Sequence, residues 1–243
     1  MAFPSDVLLS SAKYLGFVDS KYAYNINWDV VWSFTYAITG TQHGFCTFLT
    51  TNPLLSTGIP GQYMGYYGNS PLSAGILAIT FDSTGYFALS NTSVGGIPIS
   101  STRPNSLVVR DSTNTVIFNQ PLSSLDTSFV LASSTKDYKT LRFRYSNGGK
   151  KLYIDYYKDL QTFDNLATIS ISTLNITDSM VVYPGFTFCS PISSISITPS
   201  TLYLQNFHTQ GNVSSPTYET LDYVPLSSSI TNFTTISTLI SAL

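Results

Sequence analysis

The sequence predicts an all-β chain folded as a two-sheet antiparallel sandwich. Two observations carry that expectation. Val, Ile, Thr, Tyr and Phe recur in roughly a dozen short runs, each broken by Gly, Pro, Asn or Ser at regular spacing. The chain has 243 residues and 43% hydrophobic content, which suits one large β domain.

The runs follow one another along the chain. Residues 1–29 form a leading segment marked by Tyr14, Phe17, Tyr22 and Tyr24, and the sandwich proper is expected over 30–210. Residues 32–38 are an aromatic and β-branched run, followed by 45–49 and 76–81. Residues 107–110 and 115–118 flank a turn at 111–114, a hairpin pattern. The clearest hairpin joins 140–145 to 151–157 through Ser146-Asn147-Gly148-Gly149, where Asn and Gly tolerate positive φ. Alternation puts Leu141, Phe143 and Tyr145 on one face with Leu152, Ile154 and Tyr156, and turns Arg142 and Arg144 to the other. Two arginines on one exposed face can bind an anion, but a solvated face is the more economical reading. Residues 181–189, 194–197 and 202–207 add further strands. No fixed-period repeat is visible.

Residues 211–243 change character. A polar stretch at 211–216 precedes Ile230, Phe233, Ile236, Leu239, Ile240 and Leu243, which recur every three or four residues. That is helical spacing with one apolar stripe. The intervening Thr and Ser form helices poorly, so the stripe must bury itself, either on its own sandwich or on a neighbouring subunit.

Composition removes several function classes. Only 10% of residues are charged, against about 25% in ordinary soluble domains. A net charge of −2 leaves no basic surface to grip nucleic acid. No apolar run approaches the roughly 18 residues of a membrane span, and no export signal is visible at the N-terminus. Two Cys and two His make a tetrahedral zinc site improbable. Cys46 and Cys189 are expected as buried free thiols. Four Asn-x-Ser/Thr sequons, at Asn91, Asn175, Asn212 and Asn232, are what so Ser/Thr-rich a chain produces by chance.

Several segments, in order, resemble the legume-lectin (L-type lectin) family. WSFTYAI at 32–38 and HGFCTFL at 43–49 are similar to its "sFsftF.i" and "aDGlaFfla" strands. GQYMGYYGN at 61–69 and GILAITFD at 75–82 are similar to "gg.lGlfn" and "vaVEFDT". VYPGFTF at 182–188 and YLQNF at 203–207 follow where the family has "v.vGFSAatG" and "ilsWsF". The resemblance covers about residues 30–208 and rests on order and spacing, since no single segment is specific. It implies a jelly-roll sandwich of the concanavalin A type.

Family lectins hold a transition metal and a calcium beside the sugar. Here the ligand Glu of "VEFDT" is Thr80 and only Asp82 remains. Ser83, Thr84, Gly85 and Tyr86 fill the stretch where the family has its next Asn, and the sugar-binding Asp of "aDG" falls at His43. With those carboxylates gone, no metal and no other cofactor is expected. Sugar can still be held by aromatic stacking and polar groups on loops. The loops that the resemblance marks offer His43, Tyr63, Tyr66, Tyr67, Asn69, Asp82, Tyr86, Asn91 and Ser190 as candidate glycan contacts.

Catalysis is not expected. The hydrolases of this fold need a strand with close carboxylates, and Glu219 is the sole glutamate. No Gly-x-Ser-x-Gly elbow is present. The scarcity of charge and abundance of Tyr, Ser, Thr and Asn suggest a virion structural or surface protein. Such a protein would assemble with other virion subunits or with itself, without membrane insertion. The aromatic N-terminal segment and the C-terminal stripe would be its attachment elements. The alternative is a carbohydrate-binding module that recognises a host surface glycan without a metal.

Overall fold

The computed structural model describes residues 7–10, 16–19, 23–39, 44–52, 64, 66, 75–83, 85, 87, 104–113, 115–157, 162–171, 176–177, 179–189, 201–215 and 223–224. They form the expected two antiparallel sheets, and their single helix, α1 (Leu122–Leu125), is one turn long. No helix among them is long and apolar enough to cross a membrane.

One sheet has six strands: β1 (Val7–Ser10), β13 (Thr201–Gln210), β4 (Val30–Thr39), β9 (Lys139–Ser146), β10 (Lys151–Tyr157) and β11 (Phe163–Ser170), in that spatial order. The second sheet runs β14 (Val213–Ser215), β3 (Ala23–Asn25), β12 (Val181–Cys189), β5 (Gly44–Thr50), β6 (Gly75–Asp82), β7 (Ser106–Asp111) and β8 (Val116–Pro121). On it, β2 (Gly16–Asp19) also pairs with β12, and β15 (Tyr223–Val224) pairs with β2.

The β9–β10 hairpin has the face assignment that alternation requires. Leu141, Phe143 and Tyr145 are buried with Leu152, Ile154 and Tyr156. Arg142 and Arg144 lie on the outer face, and each is already engaged. Arg142 binds Asp155 at 2.9 Å and sits 3.9 Å from the Phe163 ring centroid; Arg144 reaches Asp29 at 3.5 Å and sits 4.0 Å from the Tyr153 ring. Pairing and stacking occupy both guanidiniums, so this face is no open anion site. At the 111–114 turn, Asp111 Oδ1 accepts the Thr113 and Thr115 amides at 2.9 and 2.8 Å, an Asx-type turn.

Aromatic rings fill the space between the sheets. Phe34 on β4 contacts Phe143 beside it and Phe45 and Phe186 on the facing sheet, with centroids 5.6, 5.6 and 4.7 Å away. The edge-to-face and offset arrangements are those the ring quadrupole favours. One polar link crosses this core. Trp32 Nε1 donates to Thr47 Oγ1 at 2.8 Å, and that hydroxyl donates to the Gly185 carbonyl at 2.7 Å. The indole of one sheet is thereby tied to two strands of the other.

Strand pairing extends beyond residues 30–210 at both ends. The 1–29 segment does not merely lead into the sandwich. Val7 pairs with Leu204, Phe17 with Thr187, and Tyr24 with Val182, so β1, β2 and β3 are strands of both sheets. Tyr24 is buried in the core and shares a 2.5 Å hydrogen bond with Thr209, which removes its side chain from the surface attachment role. Residues 211–243 likewise supply β14 and β15. The expected strand at 194–197 and the stripe Ile230, Phe233, Ile236, Leu239, Ile240 and Leu243 lie outside the described residues.

Two stability predictions follow from this core. Phe34→Ala should cost about 3–5 kcal/mol, because its ring is enclosed by both sheets. Thr47→Val should cost about 1–3 kcal/mol by leaving the Trp32 indole N–H and the Gly185 carbonyl without that partner. Equilibrium urea unfolding reads both, and values under half of these would mean the two sheets are not locked together as described.

Candidate functional site

The sheet built around β5, β6, β7 and β12 is buried on both faces. Its residues from Gly44 to Thr50 are all buried, without the in-and-out alternation of β4. Phe45, Leu49, Ile79 and Phe81 turn to the inter-sheet core. Cys46, Phe48, Thr80, Asp82 and Arg110 take the alternate positions and face away from it. Loop residues cover this second face: the Tyr66 ring packs on Phe48 at 5.4 Å, and Phe87 lies against Arg110.

At one end of the sheet, four strand ends meet. Gly44 pairs with Asp82 on β6 and with Cys189 on β12, and Asp82 pairs with Ser106 on β7. Gly44 leaves room there for the Met64 side chain. A Cβ on it would lie 2.3 Å from Met64 Cε and 3.2 Å from the Phe81 carbonyl oxygen. Met64 itself is held by Thr187 Oγ1, which donates to its carbonyl at 2.8 Å.

Asp82 Oδ2 accepts the Phe87 amide at 2.8 Å. Arg110 donates to the Phe87 carbonyl from Nε at 3.1 Å and from Nη2 at 2.6 Å. Its guanidinium carbon lies 5.1 Å from the Phe87 ring centroid. Ser83 accepts the Asn105 amide at 3.1 Å, so the β6–β7 connection is fastened on both sides of Gly85, which takes φ 77.

This donor set does not fit the cations that the family resemblance implies. Asp82 is fully buried with an oxygen committed to a backbone amide, and Thr80 and Ser106 offer neutral hydroxyls. Calcium takes six to eight oxygens, carboxylates prominent among them. No group of three His, Cys, Asp or Glu side chains among the described residues could hold a metal ion.

Of the candidate glycan contacts, Tyr66 and Asp82 are described. Both are buried: Tyr66 is 1% exposed and Asp82 0%. The reason is that β5 and β6 need a cover over their second face, and Tyr66 is part of it. Asp82 lies beneath it. His43, Tyr63, Tyr67, Asn69, Tyr86, Asn91 and Ser190 lie outside the described residues. His43 directly precedes Gly44 in the chain, Ser190 follows Cys189, and Tyr86 precedes Phe87. Sequence reasoning missed Arg110, Phe87 and Thr187. A lone Arg closing the apolar run at 107–110 was the available signal for the first.

Cys46 carries a free thiol on the second face. Burial pushes it from its ordinary value of 9.0 up to about 12, against smaller opposing pulls from the Thr80 hydroxyl and the Ile79 backbone.

The fold is similar to those of solved lectins. Lectin I-B4 from Griffonia simplicifolia, in a metal-free form, matches with TM-score 0.56 at 13% identity, covering 85% of this chain and 93% of that one. Lectin II from Ulex europaeus matches with TM-score 0.53 at 12% identity, covering 88% and 99%. The carbohydrate recognition domain of Emp47p matches with TM-score 0.52 at 13% identity, covering 88% and 86%. These likenesses establish a lectin-like jelly-roll sandwich. No protein-family model matches the sequence, and no curated protein does.

The thiol supplies a prediction. The unfolded chain ionises Cys46 near pH 9 and the folded chain does so near 12, so this contribution to stability is intact below 9 and is lost as pH rises from 9 to 12. Iodoacetamide at pH 8.5 should leave Cys46 unmodified in the native protein and modify it in urea. Peptide mass mapping gives the answer, and rapid native labelling would refute the buried placement.

Proposed function

We propose that this chain is a non-enzymatic carbohydrate-binding module that takes its glycan without a metal ion. One observation carries the reading. The strand ends at Gly44, Asp82, Ser106 and Cys189 are neighbours in the sheet, so the segments bearing His43, Tyr86 and Ser190 are rooted side by side. Rigid sandwiches place binding groups on loops gathered at one end in this way. The lectin-like fold supports the same reading, and the donor set around Asp82 supports its metal-free form.

The non-catalytic half rests on β6 and β7. The alternate positions that share a face with Asp82 are Ala78 and Thr80 on its own strand and Ser106, Val108 and Arg110 on the next. No second carboxylate stands among them, and retaining hydrolysis requires a pair about 5 Å apart. A glycan displayed on a host surface is the partner we propose. A virion-borne location goes with this reading on composition alone, through the 10% charged content.

A glycan array on the purified chain, run with and without EDTA, tests the proposal. Binding should survive EDTA. Tyr86→Ala and His43→Ala should each weaken it at least tenfold with the thermal midpoint unchanged. A folded protein that binds no glycan would overturn the reading, and binding abolished by EDTA would overturn its metal-free form.

A further inference from the structure

Two opposite charges are buried on the second face of the nine-stranded sheet, and both reach one residue, Phe87. Asp82 is 0% exposed and Arg110 is 3% exposed. Buried charges are costly unless hydrogen-bonded and balanced. Here the carboxylate takes the Phe87 N–H and the guanidinium fork takes the Phe87 carbonyl twice, with the ring beneath it. Such charge-assisted bonds are stronger than those between neutral groups. Phe87 is thus gripped through its amide, its carbonyl and its ring. Four residues earlier, Ser83 is held by the Asn105 amide, and Asn105 adopts φ 51 to present it. Ser83 and Phe87 are thus fastened on either side of Gly85, which takes φ 77.

We propose that Asp82 and Arg110 form a metal-free clamp that fixes Phe87, and through it the β6–β7 connection, for ligand binding. Arg110 is the positioning residue that a bound cation would otherwise make unnecessary. On this face the Asp82 carboxylate is matched by the Arg110 guanidinium, and Thr80 and Ser106 add no charge, so these residues leave no net negative charge to draw in a divalent cation. The loop's shape therefore does not depend on a metal. The link from that shape to sugar affinity rests on the carbohydrate-binding reading, whereas the clamp itself does not.

Amide hydrogen exchange on the whole chain separates the two. In the native protein, exchange at Phe87 should be unchanged by EDTA, calcium or manganese. Arg110→Lys keeps the charge but loses the fork, and exchange at Phe87 should rise at least tenfold. The double variant Asp82→Asn with Arg110→Met leaves no unpaired buried charge, and should show the same rise while Phe143 in the core stays protected. Unchanged exchange at Phe87 in both variants, or native protection that appears only with added metal, would overturn the clamp. For any glycan the native chain binds, both variants should lose at least tenfold in affinity. Full affinity with a loosened loop would overturn the positioning role. A native chain that binds no glycan removes the functional reading, and the exchange result then decides the clamp alone.

Discussion

The constraint on which the structure depends is that strands β5, β6 and β7 of the second sheet are buried on both faces. A sheet buried on one side can alternate apolar and polar residues. Strands β5, β6 and β7 cannot: the charged Asp82 and Arg110 on their outward face are met by the Phe87 backbone, whereas the neutral hydroxyls of Thr80 and Ser106 are buried without a hydrogen-bond partner among the described residues. The loops therefore serve as a second core layer before they serve any ligand. Met64, Tyr66 and Phe87 supply its apolar part, and the backbone groups of Met64 and Phe87 receive the polar side chains below them.

That constraint explains what could be read in the sequence. Alternation was legible wherever one face meets solvent, as in Arg142 and Arg144 against Leu141, Phe143 and Tyr145. It was silent on β5 and β6, where burial on both faces makes position parity uninformative, and Tyr66 and Asp82 could not be sorted from exposed loop groups. The edge strands were hidden for another reason. β1 has four residues and its partners lie near residue 203, so no local pattern announces the pairing. β11 escaped because a bulge opposite Ile154 and Asp155 buries Leu166 and Ala167 consecutively and breaks the period of two.

The two layers of the molecule are mechanically continuous. Trp32 of the six-stranded sheet holds Thr47, Thr47 holds the Gly185 carbonyl, and two residues along the same strand Thr187 holds Met64. A hydrogen-bonded line thus runs from the outer sheet, through the aromatic core, to the cover above the nine-stranded sheet. Met64 and Phe87 are therefore tied to strands whose other face packs into the aromatic core around Phe45, Phe81 and Phe186.

Anchoring of this kind bears directly on sugar recognition. Sugars present hydroxyls that water already satisfies, so a binding surface gains by having its own groups fixed in place beforehand. A divalent cation achieves that by drawing several oxygens onto one point. In the proposed clamp, Arg110 and Asp82 reach the same end by a different electrostatic route, one holding the carbonyl and the other the amide of a single residue, Phe87. The route requires both charges to be dry, because a solvated fork would exchange its carbonyl for water. Burial of β5, β6 and β7 on both faces is what keeps them so. The feature that obscured these residues in the sequence is therefore the one that lets two side chains hold a loop without an ion.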